Sequence, residues 1–350
     1  MPIQVETIGY YHRDSELNIT PNLLPKVLNE NKKYLEDPTL PFPYVDVQLK
    51  VPDNGGGEKH MESVLSYLNQ MGWPNKKKPD FVTNRHTITT IATTGFSSKE
   101  QAQRLLIFRY SGVIFLLKSS EFDDLTPDIL NYAIKFEHFF KKTSDEEPVG
   151  GDGTVRKAVF KATIPRGNEH PYSVLYSGEM DAIYDEESRE HVELKVFVNG
   201  LDNYKWKFRS CWMYWQAFFS NVPTLVIGSR TGKEYQSISK HIPGFSLYKV
   251  EKLERDSIPS TAAAKHAQRM GDRPFPPKIW SVAAGERHLR VFLQLVKETA
   301  ISDGDCFVLS RNGERSRWII ERDEESVAEF RKIICSQLIF SISESTETTL

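Results

Sequence analysis

Three cysteines in 350 residues, Cys211, Cys306 and Cys335, with no C-x-x-C spacing among them, leave no framework for disulfides or a zinc site. An excess of charge is also missing. The 45 Lys and Arg residues against 47 Asp and Glu leave a net charge of −2, so a nucleic-acid ligand would need a local basic groove. No apolar run approaches a membrane span. The N-terminal Met1-Pro2-Ile3-Gln4-Val5-Glu6 lacks the basic-then-apolar order of a signal peptide. No internal repeat is visible. The nine histidines include no i, i+4 pair and none beside a cysteine, and no Gly-x-Ser-x-Gly elbow is present. These absences lead us to expect a soluble, intracellular protein in a reducing compartment, with no membrane partner. Lys76-Lys77-Lys78 is too short to separate nucleus from cytoplasm.

What is present is globular. Hydrophobic content is 39% and aromatic content 11%, enough to bury a large core. Helical periodicity predicts helices over Asn22 to Tyr34, Glu58 to Trp73 and Ile279 to Thr299. Thr126-Pro127 supplies a capping hydroxyl and a first-turn proline for a helix running to Lys141. Leu105 to Leu117 predicts one or two buried strands, and Val155 to Val198 a β-rich block. Asp202 or Asn203 should cap an aromatic helix reaching Ser220. Thr224 to Ile227 and Glu234 to Ile242 alternate like strands, while Cys306 to Leu309 and Ser316 to Glu321 suit edge strands. Arg255 to Pro277 reads as a long surface loop, and Asp145 to Gly153 as an acidic, glycine-rich one.

The chemistry concentrates in Glu179-Met180-Asp181, followed twelve residues after the aspartate by Glu193-Leu194-Lys195. Residues i and i+2 of a strand share a face. The predicted hairpin runs up over Tyr176 to Tyr184, turns at Asp185-Glu186-Glu187-Ser188, and returns over His191 to Val198. Three carboxylates and one ammonium would then meet, and carboxylates so crowded repel unless a cation lies between them. Pattern alone leaves two readings open, a solvated polar hairpin and a hard-oxygen site for Mg2+ or Mn2+. Two other motifs carry less. Gly150-Gly151-Asp152-Gly153-Thr154 spells a kinase phosphate loop, but it leads into the strand-like Val155 to Phe160 and is better read as a turn. Gly228 to Glu234 is one residue short of a P-loop. In the helix from Lys205 to Gln216, Arg209 and Gln216 share a face that could meet a phosphodiester.

Five motifs in register decide between the two hairpin readings. Asp80-Phe81-Val82-Thr83-Asn84-Arg85, Ala133-Ile134-Lys135-Phe136-Glu137, Glu179-Met180-Asp181, Glu193-Leu194-Lys195 and Trp215-Gln216-Ala217-Phe218-Phe219 follow one another along the chain. The last is trailed by Val222-Pro223 and Gly228-Ser229-Arg230. In order and spacing they resemble the DXO-type decapping exoribonucleases, from about residue 80 to residue 235. Tyr44-Val45-Asp46 and the C-terminal third fit more loosely. Three positions depart from the family pattern. Asn84 stands where Trp is usual, His86 where Gly is usual, and Ala133 where the second motif opens with Gly.

The resemblance implies an α/β (α+β) fold of two packed, mostly mixed sheets flanked by helices, with a PD-(D/E)XK-nuclease-like metal-binding hairpin. It also implies one catalytic domain over 1–342 and a monomer, while the polar composition of 343–350 predicts a disordered tail. Two ions of Mg2+ or Mn2+ are expected, about 3.5–4 Å apart. Asp181 would bridge them, Glu193 and the carbonyl of Leu194 would complete one shell, and Glu179 and Glu137 would serve the other. Lys195 and Gln216 would orient the scissile phosphate, while Arg85 would neutralise a neighbouring phosphate of the 5′ end. The expected substrates are RNA 5′ ends that are capped, NAD-capped, triphosphorylated or monophosphorylated, with 5′-to-3′ degradation besides. The alternative implied is a catalytically reduced member that binds RNA ends or stabilises a partner 5′-3′ exonuclease. The departures at Asn84, His86 and Ala133 point to altered substrate choice rather than altered chemistry.

Overall fold

The computed structural model describes residues 2–37, 39–42, 44–45, 58, 61–96, 103–119, 127–141, 154–232, 245–270, 279–311 and 317–338. In chain order its first elements are β1 (Gln4–Arg13), β2 (Ile19–Pro21), α1 (Lys33–Glu36), β3 (Tyr44–Val45), α2 (Glu62–Met71), β4 (Phe81–Asn84) and α3 (Arg85–Ala92). Next come β5 (Gln103–Tyr110), β6 (Val113–Lys118), α4 (Pro127–Lys141), β7 (Val155–Arg166), β8 (Glu169–Glu179), β9 (Ala182–Ile183) and β10 (His191–Val198). The remainder are α5 (Asn203–Phe208), α6 (Ser210–Phe219), β11 (Thr224–Arg230), β12 (Phe245–Glu254), α7 (Ile258–Met270), α8 (Val282–Thr299), β13 (Cys306–Arg311), β14 (Ile319–Glu321) and α9 (Glu324–Gln337).

The strands form two mixed sheets. A nine-stranded sheet has the order β14-β13-β5-β6-β4-β8-β7-β1-β2, with β4 parallel to both β6 and β8. A five-stranded sheet has the order β3-β12-β11-β10-β9, with β10 and β11 parallel. Alternation along the strands sorts side chains between two cores, as the pleat requires. Phe81, Ile107, Ile114 and Phe160 join Trp215, Leu225, Ile227 and Phe292 in the largest cluster, which is shared by both sheets with α3, α6 and α8. Val82, Phe108, Phe115 and Val159 face the other way, toward α2 and α9. The far face of the small sheet is covered by α4 through Tyr132, Phe136 and Phe140, packed on Val192, Leu194 and Val226.

Several expectations need correction. The hairpin is split, because Glu179 ends β8 in the large sheet and the chain then crosses to the small one. Met180 is the pivot, buried in the shared core, with its N–H on the Arg156 carbonyl. Only Ala182 and Ile183 pair with the returning strand, at Val192 and His191. Asn22 to Tyr34 is not a helix. Pro21 and Pro25 and the left-handed Asn22 (φ 64°) break it, and Val27 bridges Ile183 in extended form. Only a 3-10 turn over Glu30–Lys32 and the short α1 remain. Within the expected loop from Arg255 to Pro277 lies α7, seated by Ile258 and Ala262 in the core. β13 is interior, between β5 and β14, and not an edge. The expectations for Asp46, Thr126, 145–153, 234–242 and 343–350 lie outside the described residues. Among the described residues no helix is long and apolar enough to cross a membrane.

Candidate active site

Because β9 is only two residues long, no strand among the described residues pairs with this edge of β10 from Glu193 onward. The Leu194 N–H at this edge donates to Asp181 Oδ2 at 2.8 Å. The carbonyl of an extended residue leaves the strand on the same edge as its N–H, so the Leu194 carbonyl also faces the Asp181 side. Glu193 and Lys195 flank Leu194 on one face, as their i, i+2 spacing predicts, and meet at 2.9 Å through Nζ and Oε1. Gln216 reaches them from α6. Its Nε2 donates to Glu193 Oε1 at 2.6 Å, and its Oε1 accepts from Lys195 Nζ at 3.1 Å. The result is a closed triangle of carboxylate, ammonium and amide.

Arg85 approaches Glu193 from the large sheet. It opens α3 directly after β4, and Asn84 caps that helix, its side chain accepting from Thr87 N at 2.7 Å. Asn84 at the Trp position is therefore a helix cap. Residue 178 of β8 must be glycine for this arrangement, since a Cβ there would lie 2.8 Å from Arg85 Cδ. Arg85 Nη1 donates to Ser220 Oγ at 2.6 Å and stands 3.6 Å from Glu193 Oε2. That buried oxygen accepts no hydrogen bond. His86 packs on Trp212 with ring centroids 5.3 Å apart and accepts from Lys118 Nζ at 3.1 Å.

The second carboxylate wall comes from α4, on the opposite face of the small sheet. Phe136 presses against β11 where residue 228 is glycine; a Cβ there would meet its ring at 2.4 Å. This contact seats the helix and sets Glu137 beside the open edge. One turn on, Lys141 Nζ donates to Glu137 Oε2 at 2.7 Å. Glu179 is exposed at the end of β8 and interacts electrostatically with both Glu137 and Lys141. All the expected site residues thus gather around one strand edge: Arg85, Glu137, Glu179, Asp181, Glu193, Leu194, Lys195 and Gln216. Glu179 and Asp181 come from the end of β8 and the crossing after it, not from one hairpin strand.

The crowding shifts the ionisation of these groups. Burial pushes the Asp181 carboxyl well above the aspartate range, and Glu193 and Glu137 add to the rise. Burial likewise raises Glu137, beyond what Lys141 offsets. Glu193 differs. Burial would raise it, but Lys195 and Arg85 together hold it below the ordinary glutamate value. Burial would lower the Lys141 ammonium, yet Glu137 and Asp181 hold it above the usual lysine value. Sequence reasoning missed two residues here. Lys141 was legible from its i, i+4 spacing to Glu137; Ser220, which anchors Arg85, gave no signal.

Among the described residues no three acidic, histidine or cysteine side chains stand close enough to enclose an ion as they are. The available donors still fit a hard cation. They are carboxylate and carbonyl oxygens throughout, and Glu193 Oε2 is buried without a hydrogen-bond donor. Beside Lys195 and Gln216 opens a cavity of about 320 Å3, lined also by Ala133, Arg209, Trp212 and Arg230. Arg230 lies over the Tyr132 ring, 3.7 Å from its centroid. Two of the three departures, Ala133 directly and His86 through Trp212, therefore bear on this cavity.

Comparison with known proteins identifies the fold and the family. The model for the RAI1-like PD-(D/E)XK nucleases matches residues 4–337. The crystal structure of S. pombe Rai1 in complex with 3′-FADP is 18% identical, covers 91% of this chain and 94% of its own, and superimposes with a TM-score of 0.68. Candida albicans Rai1 in complex with pU5-Mn2+ is 15% identical, with 96% and 97% covered and a TM-score of 0.68. K. lactis Dxo1 in complex with manganese is 14% identical, with 87% and 86% covered and a TM-score of 0.59. No curated protein sequence matches the chain. With a family match spanning nearly its whole length, the chain belongs to the RAI1-like PD-(D/E)XK nuclease family.

Proposed function

We propose that this protein is a Mg2+- or Mn2+-dependent hydrolase of RNA 5′ ends, acting on incomplete or NAD caps, 5′-triphosphates, or as a 5′-to-3′ exoribonuclease. The observation that carries the reading is the closed Glu193–Lys195–Gln216 triangle, with Arg85 on its outer side and Asp181 at the adjacent strand edge. Asp181, Glu193 and the Leu194 carbonyl would hold the metal, with Glu137 and Glu179 facing its other side. A metal held there would supply Lewis-acid stabilisation of phosphoryl oxygens and would lower the pKa of an attacking water. Lys195 and Gln216 have hydrogen-bonding groups to turn from Glu193 toward a scissile phosphate, where charge develops as the bond breaks. Arg85, held by Ser220, faces the next phosphate. The cationic and aromatic cavity beside Lys195 suits the first nucleotide or its cap. Relatives crystallised with pU5-Mn2+ and 3′-FADP are consistent with such ligands.

A second reading, a family member that only holds RNA ends or stabilises a partner exonuclease, draws on one observation. Two ammonium groups, Lys141 and Lys195, already sit on the carboxylates. One experiment separates the two. RNAs labelled at the 5′ end and bearing monophosphate, triphosphate, unmethylated-cap or NAD ends are incubated with the protein, with and without Mn2+. Metal-dependent release of an end group or nucleotide supports the hydrolase. Binding of the same RNAs without any product supports the binding protein.

A further inference from the structure

Outside the cleft, the molecule carries a cavity lined by Lys77, Lys78, Lys161 and His170, a Glu58–Lys157 ion pair, and the exposed Ile301 and Val291. The basic cavity is lined by surface lysines, two of them already committed, Lys78 to Ser111 and Lys161 to Glu6. The exposed apolar residues have nothing to identify a partner. Within the cleft, Lys141 stands on Glu137 among the acidic residues.

Lys141 is not an ordinary surface partner of Glu137. Its side chain is 21% exposed, and its ammonium interacts electrostatically with Asp181 and Glu179 as well as Glu137. It also acts on Glu193. One ammonium, in contact with Glu137, therefore stands within electrostatic reach of all four carboxylates, on the side where Glu137 and Glu179 would face a second ion. Lys195 occupies the opposite side, on Glu193 and Gln216. With Lys141, Lys195 and Arg85, the four carboxylates carry a net charge of about −1, so one divalent ion already reverses the sign. A second would face Lys141 at close range in a partly desolvated pocket, where like charges repel strongly.

We propose that Lys141 is a built-in cation standing in the place of the second divalent ion, so that this site takes one ion tightly and a second only by displacing Lys141. The inference rests on the metal-dependent reading above and deepens it. Glu137 is then chiefly the holder of Lys141 and becomes an ion ligand only when that ammonium leaves.

The test is the stoichiometry of Mn2+ on the intact protein without RNA, measured by isothermal titration and by electron paramagnetic resonance of free Mn2+. The parent should bind one Mn2+, with any second site at least about tenfold weaker. Lys141→Met should bind two, and their proximity should appear as spin–spin broadening. Lys141→Arg keeps the charge and should bind one. Two tight ions on the parent would overturn the inference without any variant, and so would one ion on a folded Lys141→Met. No Mn2+ on parent or variant would overturn both this inference and the metal-dependent reading. The two failures are therefore distinguishable.

Discussion

Among the described residues, two partly buried clusters of acids and bases can be compared, the first closed and the second open. In the large sheet, Lys157 of β7 meets Glu58 in a salt bridge. Glu58 Oε1 accepts from Ser63 N and Oγ, its Oε2 accepts from Ser63 Oγ and Lys157, and the Tyr11 hydroxyl bonds Ser63 Oγ at 2.9 Å. Both oxygens of Glu58 are engaged, and although burial opposes it, Lys157 and Ser63 hold the Glu58 carboxyl below its ordinary value. At the edge of β10 the same residue types give the opposite balance. Four carboxylates face two lysines and an arginine, Glu193 Oε2 lacks a donor, and Asp181 and Glu137 are raised. The first cluster is complete as a structure. The second is left with oxygen donors to spare, the expected state of a site that waits for a ligand.

Breaking each cluster should therefore have different consequences. The largest effect is expected for Lys195→Ala, which should lower RNA-end hydrolysis about 10²–10³-fold, measured at saturating Mn2+. It should leave folding intact and Mn2+ affinity little changed. Glu58→Ala should leave hydrolysis per folded molecule unchanged but strand Lys157, destabilising the protein by about 3–5 kcal/mol in urea unfolding. The pH sign follows from linkage. A depressed carboxylate contributes stability above its unfolded value that is lost as pH falls through the folded one, so the gap between parent and variant should close in acid.

Asp181→Asn should act the other way on the metal-free protein. A raised carboxyl contributes stability below its unfolded value that is lost as pH rises through the folded one. The variant keeps an acceptor for the Leu194 N–H and loses the repulsion, so at neutral pH its Tm should rise by a few degrees, while added Mn2+ should no longer stabilise it. A metal-free Tm below the parent's would mean that Asp181 is a structural anchor, like Glu58. The smallest effect concerns the departures. His86→Gly frees the Trp212 face at the cavity and should redistribute activity among 5′-end types without abolishing it, whereas Asn84→Ala should cost about 1 kcal/mol as a lost cap.

The ingredients of the open cluster were legible in sequence because strand and helix spacing are local. Glu193 and Lys195 meet because i and i+2 share a face, and α4 begins at Pro127 and ends at Lys141 as its composition predicts. The five motifs also placed Arg85 and Gln216 in one site, which spacing alone could not. What alternation could not reveal was that the chain changes sheets at Met180, since a period of two reads the same whichever sheet each half joins. α7 was hidden by its Ser, Pro and charged residues; Pro259 sits in its first turn, where the missing N–H is harmless. α9 buries Val327, Phe330 and Ile334 at helical spacing, a short apolar signal within a polar, charged stretch. Lys141 was visible at four residues from Glu137, but its reach to Asp181 needs the sheet crossing to be known.

A metal centre at the β10 edge, and none at the Glu58 cluster, is open to direct observation. The most direct measurement is anomalous diffraction from a crystal soaked in Mn2+. The account predicts a peak within about 2.5 Å of carboxylate oxygens of Asp181 and Glu193, and none at Glu58. A soaked crystal with no peak at Asp181 and Glu193, or with its ion elsewhere, would contradict it.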